Sequence, residues 1–365
     1  MTERDIRRYG VAKLSKTYNV CVLDCSIFAK NRYQGSKVFN GFLNYYKIEK
    51  IDSLESFFSE NIFSIYVDLI SVSNWKTYKL RRLLKKRDLK RLLYRLNDIP
   101  HFGKKERISI KIRKLLLSDK KALTILQKVF GKMLSFLTAK ADIALLAGDK
   151  ALLNYQNLAQ KKISVHSLDY EIYKSSTFKK TTDLNSSKYA VFLDQSAPKH
   201  PDYEFHKIKP PVTAENYFPS MTSFFEAIEK KYQIDVVIAK HPKSLIDDEV
   251  WANRTVIRGD TPSLVYHSEL VIAHYTTAIG FAVMSQKPIL QVTSDEYKNS
   301  IRKDRLIAFK EILNLREINI DNYSLESYCE DIFDFDKKAY SKYTCDYLKS
   351  FKLDQKDIWN WKGFI

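Results

Sequence analysis

The chain has 365 residues, of which 45% are hydrophobic and 13% aromatic, and its formal net charge is +18. The length predicts two domains, and the apolar content excludes an intrinsically disordered chain. No run of about 18 apolar residues occurs and residues 2–8 are mostly charged, so we expect no membrane-spanning helix, no secretory signal and a cytoplasmic location. We expect Cys21, Cys25, Cys329 and Cys345 to be reduced thiols rather than disulfides or a zinc site.

The first half of the chain alternates between helical patterns and short apolar runs. We predict a helix over residues 4–16, followed by strands and basic helices. The predicted strands occupy residues 20–24, 62–70, 141–148 and 162–167. The apolar face of the basic helices is formed by Leu80, Leu83, Leu84, Leu92 and Leu93. This alternation predicts a mostly parallel sheet with helices on both faces.

Much of the positive charge lies between Lys76 and Lys132. A basic helix of this kind can face solvent, an anionic membrane or nucleic acid. A solvated face is the first interpretation, and a peripheral membrane patch is the second, because anionic headgroups attract such clusters by about 1 kcal/mol per basic residue. The sequence has no zinc finger, no aromatic ribonucleoprotein motif and no convincing helix-turn-helix, so we expect no nucleic-acid partner.

A polar stretch rich in Ser, Thr and Lys, residues 173–187, predicts the boundary between two domains. After it the strands resume at residues 189–193, 235–239, 270–273 and 288–292. The predicted units are a basic N-terminal domain over residues 1–175, a C-terminal domain over residues 186–338 and a tail over residues 339–365 that packs back toward the N-terminal domain. The fold class that we predict is α/β, with two Rossmann-like domains.

Two His-Pro pairs follow predicted strands of the second half. His200-Pro201 comes shortly after the first strand, His241-Pro242 comes directly after the second, and a third strand ends in His274-Tyr275-Thr276-Thr277. Ligands of parallel α/β sheets bind at the carboxyl ends of the strands. An imidazole there can donate to a phosphate oxygen or act as an acid, and the proline ends the strand. Taken alone, each pair also fits an ordinary turn.

Hydroxyl groups also follow these strands. Thr276 and Thr277 precede a predicted helix, whose first N–H groups could form an anion pocket with them. Thr261 stands before Pro262 as a candidate N-cap, with the proline at the first helical position. Simple helix capping is the competing interpretation for all three threonines.

Carboxylates and guanidinium groups complete the set of candidates. Asp194 follows the first strand directly, and Asp202 follows the first His-Pro pair. Either could remove a proton from an acceptor hydroxyl or could cap a turn. Arg254 and Arg258 flank a short predicted strand, and a guanidinium can grip a carboxylate or a phosphate. No Asp-x-Asp run stands at a strand end, so we expect no metal ion.

Six segments occur in a fixed order within residues 188–295: Phe192-Leu193-Asp194-Gln195, His200-Pro201-Asp202, Tyr217-Phe218-Pro219, Ala239-Lys240-His241-Pro242, His274-Tyr275-Thr276-Thr277 and Gln286-Lys287-Pro288-Ile289. This order resembles a group of bacterial surface-polysaccharide glycosyltransferases of the GT-B type. It is similar, more loosely, to the His-Pro sialyltransferases and Kdo transferases, which use CMP-activated 2-keto acids. The resemblance implies two Rossmann-like domains that face each other across a cleft, with the acceptor in the first and the nucleotide sugar in the second.

The resemblance also implies roles for the candidates. The donor-phosphate group would comprise Lys240, His241, Pro242, Thr261, His274, Thr276 and Thr277. The group that contacts the sugar or the acceptor would comprise His200, Asp202, Arg254 and Arg258. Asp194 would be the catalytic base and His241 would help the nucleotide leave. The related sialyltransferases carry a glycine after two acidic residues, whereas this chain has Asp194-Gln195-Ser196, so the base and the stereochemical outcome stay open.

The implied function is the transfer of a nonulosonic acid or Kdo from a CMP-activated donor to a glycan or lipid-linked glycan acceptor. Such a reaction would belong to capsule or lipopolysaccharide synthesis at the inner face of the membrane, with no cofactor and no metal. Within the same class, a UDP- or GDP-sugar donor and a polyol-phosphate transferase are alternatives. In a different class, the charge alone would suit a basic, non-catalytic nucleic-acid-binding protein.

Overall fold

The computed structural model describes residues 9–29, 44–70, 73–100, 140–179, 188–325 and 332–349, together with residues 6, 130, 131, 133, 134, 137, 138, 358, 359 and 361. Most of the basic stretch, residues 101–129, and part of the predicted boundary, residues 180–187, therefore lie outside the described residues, as does Cys329. Cys21, Cys25 and Cys345 are free thiols. The boundary near residues 175–186 stays a prediction.

Six strands of the first half run parallel to their neighbours in two sheets. The small sheet pairs β1 (Val22–Asp24) with β2 (Tyr45–Lys47). The larger sheet has the order β3-β4-β5-β6. Its strands are β3 (Ile65–Val67), β4 (Lys90–Arg95), β5 (Ala141–Ala147) and β6 (Ala159–Val165).

The second half contains a six-stranded parallel sheet in the order β12-β11-β10-β7-β8-β9. Its strands are β7 (Tyr189–Leu193), β8 (Asp235–Lys240), β9 (Val256–Arg258), β10 (Leu270–Ala273), β11 (Ile289–Thr293) and β12 (Arg316–Asn319). Strands β7, β10 and β11 are buried along their whole length, as expected for parallel strands that helices cover on both faces. The chain proceeds outward from β7 on one side and from β10 on the other, which is the Rossmann strand order. The predicted fold class, α/β with two Rossmann-like units, is confirmed.

Helices connect the strands in both units. The described helices of the first half are Val11–Leu14, Ile51–Glu60, Trp75–Lys86, Gly148–Asn154 and Leu168–Ser175. Those of the second half are Pro201–His206, Ala214–Tyr232, Thr261–His267, Ile279–Met284, Asp295–Asn299 and Lys303–Leu313, with a 3-10 turn at Asp248–Trp251. Helix Lys337–Tyr343 then continues into a π-helix, Thr344–Leu348. None of the described helices is both long and apolar enough to cross a membrane.

The segment Lys90–Arg95 is a strand, and its assignment to a basic helix was wrong. Helix Trp75–Lys86 ends at Arg87, and Asp88 then takes a left-handed conformation with φ of 56° that reverses the chain. Leu92 and Leu93 are both buried, but in different hydrophobic clusters, because successive residues of a strand point to opposite faces. Two adjacent leucines between basic residues fit either the helical or the strand period.

Of the helix predicted over residues 4–16, the structure shows Val11–Leu14, and residues 4, 5, 7 and 8 lie outside the described residues. Gly10 precedes it with φ of 63°, and a Cβ atom at that position would overlap the ring of Trp359. Ile358, Trp359 and Trp361 are buried in one cluster with core residues of the first unit. The last described residues of the chain therefore pack against the first unit at a position where only glycine leaves room.

Two further contacts join the first half to the second. Helix Leu168–Ser175 packs against helix Ile279–Met284, and the Tyr173 hydroxyl donates to the Met284 carbonyl at 3.3 Å. The π-helix Thr344–Leu348 packs against helix Gly148–Asn154. Gly148 has φ of 71°, and the Asp346 backbone lies where a side chain would begin. The C-terminal segment therefore contacts both units.

Replacing Trp251 with alanine should strongly destabilise the second unit. Its side chain is 0% exposed, and its ring contacts those of Phe192, Phe218 and Phe225 at centroid distances of 5.7, 5.3 and 6.2 Å. A cavity of this kind costs about 3–5 kcal/mol in the free energy of unfolding. Urea unfolding of Trp251→Ala should show it, with Trp75→Ala, at a site 50% exposed, as the matched control. A loss no larger than in the control would contradict this packing.

Candidate functional site

The loops after β7 and β10 separate at the centre of the second sheet. These two strands are neighbours, but the chain continues from β7 to β8 in one direction across the sheet and from β10 to β11 in the other. Across the resulting crevice, the Tyr275 N–H donates to Gln195 Oε1 at 3.3 Å. Open α/β sheets bind ligands at such a reversal of strand order, outside the carboxyl ends of the strands.

The two His-Pro pairs lie next to each other beside this crevice. The rings of His200 and His241 meet edge to face, with centroids 4.8 Å apart. His200 Nδ1 accepts the Asp202 N–H at 3.1 Å, and His241 Nδ1 accepts the Lys243 N–H at 3.1 Å. The loops after β7 and β8 therefore end in the same local turn, in which the imidazole caps the second residue after it. The two pairs are therefore in direct contact, and their separate roles toward donor and acceptor stay a prediction.

The shared turn determines which ring nitrogen carries the proton. Because each Nδ1 accepts a backbone N–H, each neutral imidazole carries its proton on Nε2. Burial lowers the pKa of His200, Lys243 and Arg302 lower it further, and Asp202 opposes the shift. At neutral pH, His200 is therefore an uncharged ring whose Nε2–H can donate a hydrogen bond.

Buried polar groups hold both turns from below. The Asp194 carboxylate is 5% exposed and accepts the Ser196 N–H at 2.7 Å and the His241 N–H at 3.3 Å. Ser244 Oγ donates to Ser196 Oγ at 3.2 Å, and both hydroxyls are buried. Burial raises the pKa of Asp194, and the N–H donors oppose this shift. These contacts give Asp194 a positioning role, whereas its assignment as catalytic base stays a prediction.

Arg258 and the pair of Lys243 and Asp202 hold the outer side of the turns. The Arg258 guanidinium donates to the carbonyls of Pro242 at 2.8 Å and Ser244 at 3.0 Å. Lys243 Nζ lies 3.5 Å from Asp202 Oδ1 and thereby connects the two His-Pro turns. Arg258 was predicted to contact a substrate, but its donors are directed at backbone carbonyls.

His274 does not face a ligand, which corrects its assignment to the phosphate group. It is 0% exposed, its Nδ1 donates to the Val292 carbonyl at 2.6 Å, and its Nε2 lies 2.7 Å from the Tyr217 hydroxyl. Burial lowers its pKa to about 4. A strand-end histidine whose two nitrogens are both satisfied is a core residue that ties β10 to β11 and to helix Ala214–Tyr232.

Two further cationic side chains that were predicted to bind a substrate form ion pairs with carboxylates of the protein. Lys240 is 9% exposed and pairs with Asp248. Arg254 forms a two-pronged contact with Glu229, at 2.8 and 2.7 Å. It precedes β9 and therefore lies at the edge of the sheet opposite the crevice. Both cations are therefore paired with carboxylates, and Arg254 also lies away from the crevice.

The three threonines have different surroundings. Thr276 Oγ1 accepts the Ala278 N–H at 3.2 Å, so it caps the turn before helix Ile279–Met284. Thr277 is half-buried beside it at the crevice. Thr261 is the first residue of its helix and Asp260 is the N-cap, so its assignment as the N-cap was wrong. Thr261 also follows the edge strand β9, which β7 and β8 separate from β10.

Sequence reasoning missed two arginines beside the crevice. Arg302 lies over the ring of Tyr203 and Arg305 over the ring of Tyr275, each with its guanidinium carbon 5.9 Å from the ring centroid. Tyr203 is on the helix that follows His200, and Tyr275 spans the crevice. The available signal was position, because the arginines follow β11, whose carboxyl end lies on the same edge of the sheet.

Within the part of the chain that the structure describes, no group of three or more His, Cys, Asp or Glu side chains could hold a metal ion. The described residues beside the crevice present imidazole, hydroxyl and guanidinium groups. Such groups recognise oxyanions.

The comparisons with known proteins concern the architecture. No model of a known family matches the chain, and no curated protein matches it. Among solved structures it is similar to the kitacinnamycin glycotransferase, with 10% identity, 81% and 71% of the two chains covered and a TM-score of 0.42. It is likewise similar to a putative UDP-N-acetylglucosamine 2-epimerase from Listeria monocytogenes (10%, 82% and 73%, 0.45) and to Acinetobacter baumannii MurG (8%, 80% and 71%, 0.38).

Acid should destabilise the protein partly through His274. Its pKa is about 4 in the folded chain, against an ordinary value of 6.5, so between these values the unfolded chain binds a proton that the folded chain does not. The contribution to stability is complete above pH 6.5 and is lost as the pH falls toward 4, by up to about 3 kcal/mol. His166, whose pKa burial also lowers to about 4, acts in the same direction.

Urea unfolding between pH 4 and 7 should therefore show a shallower pH dependence for His274→Gln than for the unmodified chain. The remaining slope should include the contribution of His166. If the two slopes are the same, His274 is not held in its neutral form.

Proposed function

We propose that this protein is a glycosyltransferase that takes a sugar from a nucleotide-activated donor. The observation that carries the proposal is the pairing of two His-Pro turns beside the reversal of strand order. Each turn commits Nδ1 to the backbone, so the proton of each neutral ring is on Nε2. Two such donors at the ligand-binding edge of a Rossmann sheet suit the phosphate of a nucleotide sugar.

In the proposed reaction, an acceptor oxygen bonds to the anomeric carbon while the bond from that carbon to the phosphate oxygen breaks. The electron pair stays on the phosphate, and the hydroxyl proton passes to a base. Hydrogen bonds from His200 and His241 Nε2 to the phosphate oxygens stabilise the negative charge that develops there. Because its pKa is lowered, His200 takes part as a hydrogen-bond donor and not as a source of protons.

We propose a CMP-activated 2-keto acid, such as a nonulosonic acid or Kdo, as the donor, and surface polysaccharide as the product. The order of motifs over residues 188–295 supports this choice. A donor of this class carries a carboxylate beside its phosphate, which suits a site with several cationic groups. A UDP- or GDP-sugar is the alternative, and nucleotide binding separates the two.

The acceptor side of the proposal rests on the first unit. Helix Trp75–Lys86 exposes basic residues along its length: Lys76, Lys79, Arg82, Lys85 and Lys86. Trp75 is 50% exposed at its start, and the Lys79 ammonium lies 5.5 Å from the centroid of the Trp75 ring. Exposed apolar side chains accompany it at Phe130, Met133 and Leu137, and Gly131 lies against the Ser73 carbonyl. We propose that this surface contacts anionic headgroups and so brings the protein to a lipid-linked glycan acceptor.

CMP should bind and stabilise the protein, and His241→Ala and His200→Ala should weaken that binding. Loss of one hydrogen bond to a charged phosphate costs about 1.5–3 kcal/mol, which corresponds to about 10–100-fold in Kd. Isothermal titration with CMP, CDP, UDP and GDP measures it. His267→Gln is the matched control, because His267 ends the helix that precedes β10 and lies at the opposite edge of the sheet.

If UDP or GDP binds and CMP does not, the donor is a UDP- or GDP-sugar and not a CMP-activated sugar. Equal affinity in the unmodified chain and in both site variants would contradict the role of the His-Pro turns. Tight binding of DNA or RNA without any nucleotide binding would place the protein in the nucleic-acid-binding class.

Vesicles that contain anionic phospholipid should carry the protein upward in a flotation gradient at low salt, and high salt should release it. Trp75→Ala and Lys79→Glu should each reduce the floated fraction, because one removes an interfacial ring and the other reverses a charge. Lys230→Glu, on the second unit, is the control for charge alone. Flotation that neither salt nor these substitutions change would contradict the proposed surface.

A further inference from the structure

We infer that Arg302 and Arg305 form an oxyanion-binding pair at the mouth of the crevice, which receives the phosphate or the carboxylate of the donor. This inference rests on the proposed function for the identity of the ligand. The pair is separate from the two His-Pro turns, since it follows β11 and not β7 or β8.

Contacts with two tyrosines place the pair beside the crevice. Arg302 stacks over Tyr203, whose helix begins directly after His200, and its charge lowers the pKa of that histidine. Arg305 stacks over Tyr275, whose N–H reaches across to Gln195. The two guanidinium groups therefore approach the crevice from the β10 and β11 side, opposite the turns of β7 and β8.

The charges of this pair are not neutralised by the protein. Within the described residues, neither guanidinium has a carboxylate within 4 Å. Arg302 Nε is enclosed and has no hydrogen-bond partner there. Loss of surrounding water lowers the pKa of Arg305, and the charge of Arg302 lowers it further, although the side chain remains open to solvent.

The other arginines near this sheet behave differently. Arg254 is paired with Glu229, and Arg258 donates hydrogen bonds to two backbone carbonyls. Two like charges held close together without an acid are costly unless an anion binds between them. Each guanidinium carbon lies 5.9 Å from a tyrosine ring centroid, and such a contact with the ring face does not use the N–H groups as donors to a protein oxygen.

The shared chemistry of the ligand is an oxyanion with two oxygens that a guanidinium fork can grip. It has two possible sources in the proposed donor, namely the nucleotide phosphate and the carboxylate of the sugar. If the pair binds the phosphate, CMP without a sugar is enough to contact it. If the pair binds the carboxylate, only the complete CMP-linked 2-keto acid contacts it.

The test is isothermal titration of the full chain with cytidine, CMP and a CMP-linked 2-keto acid sugar. The variants are Arg302→Gln and Arg305→Gln, and Lys303→Gln is the matched control because it removes an exposed positive charge from the same helix. Arg302→Lys keeps the charge but lacks the fork, and thermal unfolding of each variant confirms that it is folded. We expect about 10-fold weaker binding of the anionic ligand in both glutamine variants, an intermediate loss in Arg302→Lys and unchanged binding of cytidine.

Weakened CMP binding assigns the pair to the phosphate, and weakened binding of the sugar nucleotide alone assigns it to the carboxylate. If neither loss exceeds that of Lys303→Gln, the inference is overturned. If the unmodified chain binds no nucleotide, the proposed function fails, and inorganic pyrophosphate becomes the probe. Stabilisation by pyrophosphate that both glutamine variants lose then supports the pair, and its absence overturns it.

Discussion

The reversal of strand order between β7 and β10 is the constraint on which the site depends. Two adjacent parallel strands whose connections leave in opposite directions cannot close the space between their ends. Here Tyr275 and Gln195 bridge that space with a single hydrogen bond, and every candidate ligand-binding group is placed relative to it. The His-Pro turns and Tyr203 belong to the β7 and β8 side, and Tyr275, Arg302 and Arg305 belong to the β10 and β11 side.

The two His-Pro turns show how a buried network can fix a surface group. Asp194 accepts backbone N–H groups from both loops, and the hydroxyls of Ser196 and Ser244 connect the loops beneath the imidazoles. Each buried polar group thereby has a partner, and the loops have little freedom to separate. The outcome is two imidazoles with the same tautomer, side by side, without direct hydrogen bonds between their rings.

Charge at the crevice is determined by which cations already have partners. Lys240, Arg254 and Arg258 lie at or within two residues of a strand end, whereas Arg302 and Arg305 come nine and twelve residues after β11. The first three donate to a carboxylate or a carbonyl of the protein, whereas the last two stack on tyrosine rings. Only the groups of the second kind keep hydrogen-bonding capacity for a ligand.

The sequence alone predicted β7 to β11 but not β12, and it placed His200, His241 and Thr277 after the carboxyl ends of these strands, because apolar runs and the residues that follow them are local patterns. It assigned Lys90–Arg95 to a helix, because a pair of leucines between basic residues fits either period. It also placed His274, Lys240 and Arg254 in the site and missed Arg302 and Arg305. The tertiary structure decided these cases, because a polar side chain acts on a ligand only if no distant residue satisfies it first. The partners that do so, such as Val292 for His274 and Glu229 for Arg254, lie 18 and 25 positions away in the chain.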